Sequence, residues 1–149
     1  MADVGAGPSF ENQPQISADF TQIDLTGFPD KELTQKVIGA AYEVHNELGP
    51  GFLETIYQTA LLRELSALGI KAVVQAPIPV YYKGSAIGQY YADLLVEGKL
   101  IVELKAVANI DTAHEAQVLH YLTATRLQLA LIVNFGGSSV HVKRVVKTK

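Results

Sequence analysis

The chain contains no cysteine and no tryptophan. Without thiols it can build neither a disulfide framework nor a thiolate metal site, and the expected setting is a reducing compartment, the cytoplasm. Long apolar runs are missing too. None approaches the ~18 residues that a membrane span requires, and no basic segment followed by an apolar core opens the sequence as a secretory signal would. Basic residues are absent from the first 30 positions, where Asp3, Glu11, Asp19, Asp24 and Asp30 stand without a Lys or Arg. This stretch mixes Gly, Pro, Ser, Asn and Gln with scattered apolar residues and has no sustained period, so residues 1–30 are expected to form a flexible acidic N-terminal extension. Phe20, Ile23, Leu25 and Phe28 are the side chains through which it could still dock.

What is present fits one domain with a real core: 149 residues, 48% of them hydrophobic. Residues 31–149 hold all 12 basic residues and ten of the 15 acidic ones, so the folded part is slightly basic although the whole chain carries a formal charge of -3. Lys143, Arg144, Lys147 and Lys149 cluster near the C-terminus. Such a face permits nucleic-acid binding without demanding it.

Residues 32–48 place Leu33, Val37, Ile38, Ala41, Tyr42, His45 and Leu48 at helical spacing, and Gly49-Pro50-Gly51 ends the helix. His45 on this apolar stripe suits a packing residue, with ligation the alternative. A second helix is expected over residues 52–68, with Glu54, Tyr57, Gln58 and Leu61 on one face. An acid in the first turn is favoured by the helix dipole, which accounts for Glu54 as readily as metal ligation does. Residues 71–82 alternate loosely and include Pro77 and Pro79, which argues for an edge or bulged strand. Lys83-Gly84-Ser85 then turns the chain into strands at 86–96 and 100–107. Asp111-Thr112 can cap a helix running to about residue 126, with His114, Gln117 and Tyr121 at i, i+3 and i+7. Residues 128–134 form a continuous apolar run of strand length, the pattern of a strand buried on both faces. Phe135-Gly136-Gly137-Ser138 turns into a last strand at 139–146. The order helix, helix, three strands, helix, two strands predicts an α/β (α+β) domain with a mixed sheet and helices packed on it.

The most informative stretch is 91–106, YADLLVEGKLIVELKA. Two β-prone runs flank Glu97-Gly98-Lys99, a hairpin signal. A three-residue loop pairs Val96 with Leu100, Leu94 with Val102 and Ala92 with Leu104 on one apolar face. The other face then sets Leu95 beside Ile101, Asp93 beside Glu103 and Tyr91 beside Lys105. A two-residue loop would set Asp93 against Val102 and mix both faces, and a one-residue slip flips every side chain. Like charges directly opposite are destabilising, and paired carboxylates raise one pKa unless a positive charge intervenes. A divalent cation is one solution, and all-oxygen donors favour Mg²⁺ or Mn²⁺. The same spacing also occurs in an ordinary amphipathic hairpin with a solvated charged face.

Several separated segments together resemble the GxxExxY proteins, a family of the PD-(D/E)xK nuclease superfamily. Gly51-Phe52-Leu53-Glu54-Thr55-Ile56-Tyr57 matches the signature itself. Val44-His45 with Leu48-Gly49-Pro50-Gly51, Gln75 with Pro77-Ile78-Pro79-Val80, and Asn134-Phe135-Gly136 are similar as well. The resemblance covers about residues 32–146 and implies a restriction-endonuclease-like core of α-β-β-β-α-β order within residues 31–149. It implies Asp93 and Glu103 as metal-binding acids and Lys105 as the catalytic lysine of Glu-x-Lys. It further implies Glu54 as an added helix acid, and Gln117 and Tyr121 as the Gln-x-x-x-Tyr pair of exonuclease-like branches. Ala92 stands where many relatives have Pro.

On this basis Mg²⁺ (or Mn²⁺) would be held by Asp93, Glu103, Glu54 and the Leu104 carbonyl. Lys105 would orient water or stabilise the transition state, and Gln117 and Tyr121 would fix Lys105 or contact phosphate. The implied partner is nucleic acid, DNA first, with Lys143, Arg144 and Lys147 along the phosphates. No membrane partner is expected, and a homodimer stays open. The second reading is a non-catalytic nucleic-acid or protein-binding module that retains the fold.

Overall fold

The structure is a computed structural model that describes residues 30–148. The expected acidic extension, with Phe20, Ile23, Leu25 and Phe28, lies outside the described residues apart from Asp30. Its carboxylate meets the Lys99 ammonium at 2.9 Å.

Eight elements follow one another: α1 (Lys31–Leu48), α2 (Glu54–Ala67), β1 (Ala72–Tyr82), β2 (Ser85–Val96), β3 (Leu100–Lys105), α3 (Thr112–Thr125), β4 (Leu129–Asn134) and β5 (His141–Val146). The five strands lie in sequence order in one sheet. β3 and β4 are parallel and joined through α3, and every other neighbouring pair is antiparallel. The expected mixed sheet is therefore the observed one. Among the described residues no helix is long and apolar enough to cross a membrane.

Two cores sandwich the sheet. Leu33, Val37, Ala41 and Val44 of α1 and Tyr57, Leu61 and Leu65 of α2 pack on Leu94, Val102, Leu104, Leu131 and Val133. Val118, Tyr121 and Leu122 of α3 pack on Ile101, Ala130, Ile132 and Val145 from the other side. The central strands are therefore covered on both faces. β4 is buried at all its positions, which explains its unbroken apolar run. Each fully buried Leu or Ile there contributes about 1.5–3 kcal/mol. Only Glu103 and Asn134 bring buried polar side chains into β3 and β4.

β1 is an edge strand, where Pro77 and Pro79 are tolerated. The register of Val96 with Leu100, Leu95 with Ile101 and Leu94 with Val102 is as the three-residue loop requires. Positive φ at Glu97 and Gly98 closes the turn. A second turn is tighter than expected: Lys83 and Gly84 alone link Tyr82 to Ser85, both with positive φ, as in two-residue hairpin loops.

Other expectations need correction. α2 begins at Glu54, not at residue 52, because Leu53 is extended and serves as N-cap. The Tyr57 hydroxyl holds this entry by donating to the Gly49 carbonyl and accepting from the Phe52 N–H at 3.3 Å. Tyr42, assigned to the apolar stripe of α1, is 40% exposed. β3 ends at Lys105, short of residue 107, and β5 starts at His141, later than residue 139.

The chain beyond β3 is fastened to the end of β4. Asn134 Oδ1 accepts from the N–H groups of Val107 and Gly136 at 3.0 Å each, and its amide donates to the Val107 carbonyl at 2.9 Å. Gly136 lies so close to this segment that an added Cβ would fall 2.2 Å from the Val107 oxygen, whereas at Gly137 the nearest atom would be 3.5 Å away. Gly136→Ala should therefore lower stability by about 1–3 kcal/mol through overpacking, and Gly137→Ala should stay within about 0.5 kcal/mol of the parent. Urea unfolding midpoints check this contrast, and equal midpoints for the two variants would contradict the packing argument.

Candidate functional site

The regular ladder between β2 and β3 stops at Leu94 and Val102. At the next step, carboxylates replace carbonyls as acceptors. Glu103 Oε2 accepts from the Asp93 N–H at 2.8 Å, and Asp93 Oδ2 accepts from the Leu104 N–H at 2.8 Å. Asp93 and Glu103 are thus locked crosswise between adjacent strands. On the far side of β2, Gln75 of β1 takes a positive φ and drops out of the pairing opposite Asp93. Its amide donates to Gln58 Oε1 of α2 at 3.0 Å and reaches Asp93 Oδ1 at 3.4 Å.

This double irregularity changes which face the ribbon presents. Leu94 belongs to the α1/α2 core, whereas Ala92 and Ile78 belong to the α3 core. The expected facing of Ala92 with Leu104 is therefore wrong. The pairing of Tyr91 with Lys105 is absent from the ladder, and the Tyr91 hydroxyl instead accepts from the Gln89 amide at 2.8 Å. The premise of strict alternation fails where side chains take over the hydrogen bonding.

Glu103 is 4% exposed. Burial, reinforced by the Asp93 charge, raises its carboxyl to about 7, against the Asp93 N–H and the Lys105 ammonium, which favour the ionised form; Glu54 adds a smaller upward push. Desolvation wins. Lys105 follows two positions on in β3, and its Nζ stands 3.5 Å from Gln117 Oε1 on α3. Tyr121, one turn further, is buried, and its phenol is pushed up to about 12 by burial and by the Glu103 and Asp93 charges, so it stays protonated and able to donate. Glu54 opens α2 and accepts from the Ala106 N–H at 3.2 Å, which ties it to the end of the strand that carries Glu103 and Lys105.

The sequence-predicted residues therefore gather at one end of β3. Among the described residues, however, no group of three or more His, Asp or Glu side chains is arranged to hold a metal ion. Mg²⁺ is commonly bound through one or two carboxylates, waters and substrate phosphates rather than by an all-protein cage. Two oxygen-donor side chains fixed together, one of them held back from ionising by burial beside the other's charge, fit that mode.

The histidines and the basic residues of β5 have other partners. His45 is buried, with Nε2 3.0 Å from the Gly137 carbonyl, and serves packing. His114 forms a capping box with Asp111, each side chain bonding the other's N–H at 3.0–3.1 Å. The basic residues of β5 divide. Lys143 lies 3.8 Å from Glu115 of α3, while the neighbouring Val142 and Val146, on the alternate face with Arg144, pack toward α1 and α2.

Residues not singled out for chemistry shape the site. The Phe135 ring stacks on Tyr57 at 4.3 Å and on His45 at 6.2 Å, joining both helices to the end of β4. Asn134 anchors Val107 just beyond Lys105. A lone polar residue closing an apolar strand was the available signal for Asn134.

A sequence model described as the PD-(D/E)XK nuclease superfamily matches residues 31–145. No curated protein and no solved structure matches the chain significantly.

The raised Glu103 carboxyl sets a sign for pH dependence. Between its ordinary value of 4.5 and about 7 the native state binds more protons than the unfolded state. In metal-free buffer its contribution to stability is therefore present at and below pH 4.5 and is lost as pH rises through 7. Glu103→Gln, which keeps an acceptor for the Asp93 N–H, should gain stability relative to the parent over that window. Thermal melts from pH 4.5 to 8 in a chelating buffer test this, and parallel curves for the two proteins would refute it.

Proposed function

Because the chain belongs to the PD-(D/E)XK nuclease superfamily, we propose that it is a metal-dependent nuclease that hydrolyses phosphodiester bonds of nucleic acid, with DNA as the first substrate to test. Within the superfamily, the Gly51-to-Tyr57 segment supports placing it with the GxxExxY proteins. The observation that carries the proposal is the crosswise Asp93–Glu103 pair with Lys105 one step along the same strand.

Asp93 and Glu103 would hold Mg²⁺ or Mn²⁺, with Glu54 and the Leu104 carbonyl as further donors. When bound, the cation supplies neutralisation of the phosphoryl oxygens and stabilisation of the leaving oxygen. The protein does the rest by position. Lys105 offers an ammonium to the charge that builds on the phosphoryl group, or orients the attacking water. Gln117 accepts from Lys105 and so limits where that ammonium can point. Tyr121 keeps its proton at neutral pH and can donate to a phosphate oxygen or to a carboxylate without adding negative charge. The backbone N–H groups of Asp93, Leu104 and Ala106 each hold one carboxylate oxygen, so the acids are oriented before substrate arrives.

Saturable Mn²⁺ or Mg²⁺ binding by titration calorimetry is the expected result, abolished in Asp93→Ala. In a digestion panel of labelled DNA and RNA with Mn²⁺, Lys105→Ala should be slower by about 100-fold or more, the scale of losing one transition-state charge stabiliser. Equal cleavage by both proteins, or metal binding untouched by Asp93→Ala, would overturn the proposal.

A further inference from the structure

The irregularity at Gln75 and Asp93 leaves β1 and β2 to continue alone. Their pairing runs on from Ala76 with Ala92 to Tyr82 with Ser85, past the last β2–β3 pair. This two-stranded ribbon is rich in exposed aromatic side chains: Tyr81 is 63% exposed and Tyr90 43%, with Tyr82 and Tyr91 also open. Large aromatics gathered in solvent mark a binding surface more often than chance.

One side of the ribbon faces α3 across a cleft of about 460 Å³, lined by Val80, Tyr81, Tyr90, His120, Thr123 and Arg126 among others. Of the described residues lining it, none is acidic. Arg126, the left-handed C-cap of α3, also lines an adjoining cleft of about 330 Å³ together with Lys147, again without an acid. Tyr90 of the first cleft touches one residue of the candidate site. The Tyr90 ring lies 5.3 Å from that of Tyr121, whose phenol feels the Glu103 and Asp93 charges.

We infer that this cleft binds an unpaired stretch of nucleic acid, with bases stacked on Tyr81 and Tyr90 and phosphates on Arg126, the strand continuing toward Lys147. Aromatic faces beside cations, with no acid to repel a polyanion, match a single strand in both shape and charge. Within a duplex the base faces are covered by their neighbours and are closed to the tyrosines. The cations of the two clefts, with no acid lining either, favour this polyanionic occupant over a second copy of the chain. The direction of the strand toward Asp93 and Glu103 rests on the nuclease reading, but the binding itself does not require cleavage.

The test is fluorescence anisotropy of labelled oligonucleotides of about 12 nucleotides, single-stranded and blunt duplex, as DNA and as RNA. The full chain is used in chelating buffer at two salt concentrations, with sedimentation velocity alongside. Single strands should bind about tenfold or more tighter than duplexes. Tyr81→Ala should weaken single-strand binding about tenfold, Tyr81→Phe should restore it, and Tyr82→Ala, outside the cleft, should leave it unchanged. Arg126→Gln should reduce the salt dependence by about one counterion. The two sugars separate a DNA-binding from an RNA-binding cleft.

No binding, equal or tighter duplex binding, or unchanged affinity in Tyr81→Ala overturns the inference. So does a Tyr81→Ala variant that alters only self-association. Duplex cleavage in Mn²⁺ with single-strand affinity indifferent to Tyr81 would sink the cleft and spare the nuclease. Tyrosine-dependent binding with no cleavage of any substrate would do the reverse.

Discussion

Two carboxylates stand where a β-ladder would place backbone carbonyls, and most of the architecture around them follows from that exchange. Asp93 and Glu103 each take an N–H from the opposing strand, so β2 and β3 stay joined although their regular pairing has ended. The arrangement is electrostatically expensive. Burial and the neighbouring charge on Asp93 outweigh the hydrogen bond and the ammonium that favour an ionised Glu103. A fold optimised for stability alone would put apolar residues here, as it does at Val102 and Leu104 on the same strand. The strain is local and lies at the candidate site, where the proposed hydrolysis would need concentrated negative charge to hold a cation.

The same break frees the outer part of the sheet. With Gln75 in a left-handed conformation and Asp93 out of the ladder, β1 and β2 carry Ile78 and Ala92 over to the α3 side. The wall of tyrosines beside α3 and the acid pair are thus consequences of one departure from regular pairing. Behind them the framework is rigid. The Tyr57–Phe135–His45 stack ties both N-terminal helices to the end of β4, and Asn134 pins the segment after Lys105. Glu54 is positioned from the first of these and Lys105 from the second, so the site rests on packed elements rather than on loops.

How far the sequence could be read depended on how regular each segment was. Element order, the edge position of the proline strand, the two-sided burial of β4, the Asp111 cap and the register of Leu94–Val96 all follow from periodicity and turn chemistry, and the structure agrees. The superfamily relationship was legible in dispersed motifs, from Gly51–Tyr57 to Asn134-Phe135-Gly136. Ala92 and Tyr91 were misplaced because strict alternation was assumed through Asp93, and no propensity announces a left-handed glutamine at residue 75. The start of α2 was set too early because a hydroxyl four positions beyond Leu53 fixes the entry. The basic cluster of β5 looked continuous in the sequence, but a strand turns successive side chains to opposite faces.

The outer strands carry one more consequence. Among the described residues nothing pairs with the outer borders of β1 and β5, and an open border offers rows of unpaired amides to any neighbouring chain, a route to open-ended aggregation. Here β1 interrupts its border with Pro77 and Pro79 and a bulge between Val80 and Tyr81, and β5 places Lys143 and Arg144 along the other. Neither border is a good template for strand addition, so a domain that exposes a long tyrosine-rich hairpin is still protected against growing into fibrils by its own pairing rules.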